Sequence, residues 1–164
     1  MRIPFLKINS KESLKLVYKK SILYISILAL PITVILFFSG SNIIHFLYGS
    51  GYDKSVIVLK IVAITVVFRF MTFVNGITLI SIDRQKQRLY YHGITAIINI
   101  VLNLILIPFY GYIGAAIATI ATEFFLFISF FFPVMEYFKN FGYIRVLMRP
   151  IIAISLASVL FFLK

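Results

Sequence analysis

Four long apolar runs, residues 21–40, 56–82, 94–110 and 112–135, leave this chain few ways to fold. A helix needs about 20 apolar residues to cross the ~30 Å hydrocarbon layer of a bilayer, and these four runs are close to that length or beyond it. A fifth run, 146–163, is weaker because Arg149 and Pro150 interrupt it near its start. It spans if Arg149 snorkels back to the interface and Pro150 occupies the first turn. A signal peptide would mimic the first run, but that run exceeds the roughly 7–15 residues of an apolar signal core. It also follows a basic segment, 1–20, whose alternating basic and apolar residues predict a short amphipathic helix along a membrane surface. The expected fold class is therefore all-α. It is a polytopic integral membrane bundle of five transmembrane helices over 21–164, preceded by a cytoplasmic segment.

Composition supports this and narrows the function. The chain is 62% hydrophobic and 13% charged, against about 45–50% and about 25% in soluble domains. Too little polar surface is present to coat a soluble globule. The absence of cysteine rules out a disulfide framework, a thiolate zinc site and a cysteine nucleophile. His45 and His92 are too far apart for the usual metal spacings, and no glycine-rich phosphate loop or nucleophile elbow is present. No catalytic residue, cofactor or metal site is expected, and the chain does not read as an enzyme.

A formal charge of +11 would ordinarily suggest nucleic acid. Position removes that reading. If five helices alternate, twelve of the sixteen Lys and Arg residues fall on one side: Arg2, Lys7, Lys11, Lys15, Lys19, Lys20, Arg84, Lys86, Arg88, Lys139, Arg145 and Arg149. Cytoplasmic loops collect Lys and Arg, so the N-terminus is expected inside and the C-terminus outside, in the cytoplasmic membrane. Lys54, Lys60 and Lys164 fall on the other side, and Arg69 alone stays within a span.

Charges near the bilayer centre cost about 2.5–3.5 kcal/mol on insertion scales, so they face a bundle interior or a wet cavity. Arg69 lies mid-way along the second run in a stripe with Thr65, Thr72 and Gly76. Glu123 lies mid-way along the fourth, in line with Ala115 and Thr119, at a depth similar to that of Arg69. Two readings stand side by side. One is a structural ion pair; the other is a cavity in which Arg69 meets an anionic substrate group and Glu123 is its counter-ion or a titrating group. Thr95, Asn99 and Asn103 share one face of the third helix, where buried Asn usually serves as interhelical glue. Gly114, Ala118 and Thr122 form a small-residue face that lets another helix approach closely. Pro31 should kink the first span, and His45 and His92, at or beyond helix ends, read as structural.

The order of these features resembles a known pattern. A Pro-containing span is followed by a Leu47-Tyr48-Gly49 turn with Tyr52 after it, and then by a span ending in the basic loop Arg84-Gln85-Lys86. Next come Asn99, Asn103, Ile107-Pro108, Gly111, Gly114-Ala115-Ala116, Ala118-Thr119 and Glu123. Over roughly 21–133 this is similar to the C-terminal half of the polysaccharide-transporter family. These are lipid-linked oligosaccharide flippases within the multidrug/oligosaccharidyl-lipid/polysaccharide exporter superfamily. The resemblance implies alternating access by two halves and a polyprenyl-diphosphate-linked glycan as substrate. The expected partners are membrane lipids, that glycan and a polypeptide carrying the missing N-terminal half. The related alternatives are a cation-coupled multidrug exporter, with Glu123 as coupling carboxylate, and a truncated, non-transporting membrane protein.

Overall fold

The computed structural model describes residues 11–139, and every regular element among them is helical. The helices are α1 (Lys11–Phe38), α2 (Gly40–Tyr48), α3 (Asp53–Ser81), α4 (Gln85–Tyr110) and α5 (Tyr112–Phe138), with one 3-10 turn at Ser50–Tyr52. Of these, α1, α3, α4 and α5 are long and apolar enough to cross a membrane, which suggests a multi-pass membrane protein. The expected fifth span, 146–163, and the segment 1–10 lie outside the described residues.

Three of the long helices begin before their apolar runs. In α1 the reason is visible in the packing. Leu14, Tyr18, Ile22, Ser26 and Ala29, three to four residues apart, are all buried, so one inward stripe continues straight through the basic stretch. Lys19 and Lys20 stay exposed, and Lys15 is half-buried. Residues 11–20 are thus continuous with the helix that carries the first apolar run. The short α2 fills the connection between the first two spans. It stops where Gly49 takes φ 83° and donates its N–H to the His45 carbonyl at 3.0 Å.

Laterally the helices follow the order α1, α3, α5, α4, with α3 against both α1 and α5 and α5 against α4. Although joined by only 82–84, α3 and α4 scarcely touch. The α4–α5 connection is a single residue, Gly111, at φ 55°. The tight return that follows needs Gly114, since a Cβ there would collide with the backbone carbonyl of Leu106.

The core lies among α1, α3 and α5, near the 81–85 end, around Tyr18, Ile22, Leu79, Phe130, Val134 and Phe138. It contains one polar clasp: the Tyr18 hydroxyl donates to Asn75 Oδ1 at 2.7 Å, with both residues fully buried. Stranding a buried acceptor costs ~1–3 kcal/mol. Tyr18→Phe should therefore lower the free energy of detergent-induced unfolding by an amount in that range, and so its midpoint, while preserving helix content by circular dichroism. An unchanged midpoint would remove the clasp as a determinant of the α1–α3 contact.

The outer face of α4 is strongly apolar. Ile97, Ile100, Val101, Leu104 and Ile105 are exposed on it, and Thr95 is its one buried residue. In water such a face would be a liability; against lipid tails it is the ordinary exterior of a bundle.

Candidate functional site

Because α5 packs against both α3 and α4 while those two hold apart, α5 forms the floor of a cleft whose walls are α3 and α4. Its volume is about 590 Å³. Helical spacing brings polar groups to it from all three elements. Arg69, Thr72 and Gly76 come from α3; Arg88, His92, Thr95 and Asn99 from α4; Thr119, Thr122 and Glu123 from α5. Phe73, Leu126 and Phe130 supply its apolar lining.

Arg69 and Glu123, expected at similar depth, meet. Arg69 Nη2 donates to Glu123 Oε1 at 2.6 Å, and Nε donates to the same oxygen at 3.1 Å. The carboxylate is the more enclosed partner, with its side chain 15% exposed against 70% for the guanidinium. Arg69 therefore lies on the open side of the cleft and Glu123 in its floor.

The remaining sites separate into two groups. Asn99 donates to Thr122 Oγ1 at 3.1 Å and bridges α4 to α5. Asn103 donates back to Asn99 Oδ1 at 3.0 Å, so it supports Asn99 without lining the cleft. Thr119 lines the cleft but gives its hydroxyl to the Ala115 carbonyl at 2.9 Å. Thr65 is buried away from the cleft and bonds the Val62 carbonyl at 2.6 Å. Thr72 lines the cleft, and its buried Oγ1 has no hydrogen-bond partner among the described residues.

Two polar residues of the cleft were not singled out from the sequence. Arg88 had been assigned to topology and His92 to a helix end. The stripe that holds Thr95 and Asn99, continued backwards at steps of three and four, reaches His92 and then Arg88. His92 sets its ring edge-on to Phe130, with centroids 5.1 Å apart and planes at 85°. His45, by contrast, is far from the cleft and pairs with Asp53 at 2.7 Å beside α2.

No protein-family model, curated protein or solved structure matches the chain significantly. The cleft therefore has to be read from its own chemistry. It combines one self-compensated ion pair, one further arginine and neutral hydrogen-bonding groups. No group of three His, Cys, Asp or Glu residues is placed to hold a metal among the described residues. This arrangement suits recognition of a polar or anionic group within an apolar surround.

Proposed function

We propose that the chain is part of a membrane transporter that moves a polyprenyl-diphosphate-linked oligosaccharide across the cytoplasmic membrane by alternating access. In this reading it carries out no covalent chemistry, and the N-terminus faces the cytoplasm. It works with a polypeptide that supplies the other half of the cavity. The observation that carries the reading is the polar cleft midway along three membrane-length helices, with Arg69 and Glu123 in it. Ionised residues at such depth are costly in lipid and mark pathways for polar cargo. The sequence resemblance supplies the substrate class, and helices bordering a cavity supply the means of exposing it to either side in turn.

The cation-coupled alternative is less well supported. Its coupling carboxylate would be Glu123, and Arg69 already occupies one oxygen of that group through two hydrogen bonds.

Removal of the gene in its native host tests the proposal. Lipid-linked glycan should accumulate on the cytoplasmic leaflet, and wild-type protein should clear it. Arg69→Ala, at equal membrane abundance, should lower clearance at least tenfold. Clearance unchanged by deletion, or undiminished in Arg69→Ala, would end the reading.

A further inference from the structure

The cleft is built differently at its two ends. Its walls, α3 and α4, are consecutive in the chain, so the connector 82–84 crosses from one wall to the other at the Ser81 end. The far end has no such bridge. There α3 is entered from the 3-10 turn, and α4 passes through Gly111 into the floor helix α5.

The connector is a defined turn. Asp83 takes φ 60° and donates its N–H to the Ile80 carbonyl at 3.1 Å, while the Arg84 N–H donates to the Leu79 carbonyl at 2.8 Å. This is the paired bonding of a Schellman cap, with aspartate where glycine is usual. It ends α3 and sets Arg84 at the start of α4, where the Arg84 carbonyl accepts from the Arg88 N–H at 3.1 Å.

One side chain ties this bridge to the floor. Arg84 Nη1 donates to Glu136 Oε2 at 2.9 Å and to the Pro133 carbonyl at 3.3 Å, both in the last turns of α5. Just inside the tie the three helices converge. A Cβ on Gly76 would stand 3.2 Å from Arg88 Nε and 3.2 Å from Phe130 Cε2. The lining of the cleft stops at these residues, and nothing from 77–87 contributes to it. The tie itself is weak. Glu136 is 71% exposed and Arg84 34%, so water screens the pair, and it can part without unfolding a helix.

We propose that Arg84 is a releasable strap. While it grips α5, the cleft is closed at the 82–84 end, and aqueous solutes enter from the Gly111 end. Parting of the Arg84–Glu136 contact lets the connector lift from α5 and opens the closed end. The strap acts within this one chain and on any solute, so it goes beyond the transport reading, and the two fail separately.

Thiol labelling of the full chain in uniformly oriented, sealed vesicles tests the strap, with a membrane-impermeant methanethiosulfonate as the probe. The chain has no cysteine, so each introduced one is a single reporter. His92→Cys reports the cleft, while Lys86→Cys and Lys54→Cys, at exposed positions, mark its two ends. From the Lys86 side, His92→Cys should react roughly tenfold more slowly than from the Lys54 side. Adding Arg84→Gln should raise the Lys86-side rate severalfold and leave the Lys54-side rate unchanged. Glu136→Gln spares the Pro133 bond and should raise it less. Lys139→Gln removes an exposed cation just beyond α5 and should label as wild type, which separates release of the strap from a change in local charge. Should Arg84→Gln fail to fold by circular dichroism, Glu136→Gln still decides the matter. Equal wild-type rates from the two sides overturn the proposal, as does a Lys86-side rate unmoved by Arg84→Gln or raised equally by Lys139→Gln.

Discussion

Replacing Gly114 by alanine is expected to pry α4 from α5 and to be the most damaging single-methyl change in the bundle. The added Cβ would collide with the Leu106 carbonyl oxygen and carbon and come within 3.1 Å of the Ile107 nitrogen. These are backbone atoms and have no rotamer by which to yield. The turn offers no slack either, because α4 and α5 are joined by Gly111 alone, already at φ 55°. Overpacking of this kind costs ~1–3 kcal/mol where side chains can shift, and a backbone collision falls at the upper end. The displacement should propagate two turns along to the Asn99–Thr122 bridge and widen the cleft. The chain has no native cysteine, so an Asn99→Cys, Thr122→Cys pair reports the spacing by disulfide formation. Cross-linking should be efficient with Gly114 present and fall severalfold with alanine, together with a lower unfolding midpoint. Unchanged cross-linking and an unchanged midpoint would show that the approach at Gly114 does not set the α4–α5 distance.

How far the molecule could be read in advance follows from what periodicity encodes. Apolar run length located the four long helices, and the 3.6-residue period placed Arg69, Thr72 and Glu123 on inward faces. That period names a face but not how far along a helix a cleft extends. Thr65 shares the stripe and yet lies outside the cleft, bonded to its own helix. Nor does the period name neighbours. That α3 scarcely touches α4, the helix next to it in sequence, depends on which side α5 returns to after Gly111. Arg88 was missed for a different reason. Counting charges for topology treats every basic residue near a span end as an anchor, and this one lies against Gly76 and Phe130 within the bundle. The Tyr18–Asn75 clasp left no signal either, since a tyrosine among lysines reads as interfacial. The nine-residue α2 is too short for a run-length argument.

Removing one partner of the Arg69–Glu123 pair should be worse than removing both. Glu123→Gln leaves Arg69 cationic midway along α3, with no carboxylate to replace the one lost. An uncompensated arginine at bilayer centre costs ~2.5–3.5 kcal/mol on insertion scales. Because the Arg69 side chain is 70% exposed, part of that penalty is relieved by water in the cleft or by snorkelling, and a loss of ~2 kcal/mol in unfolding free energy is expected. Replacing both with apolar residues of similar volume, Arg69→Met with Glu123→Leu, deletes the charges as well as their attraction. Such double replacements are often neutral or stabilising. The double variant should therefore regain most of the stability that the single one loses, giving a coupling of at least ~1 kcal/mol in a double-mutant cycle. Glycan clearance should nonetheless stay low in the double variant if the pair serves cargo, because a rescued fold restores no polar group to the cleft. Stability and clearance recovering together would reduce the pair to structural glue. Additive stability losses would show that the 2.6 Å contact contributes no measurable attraction.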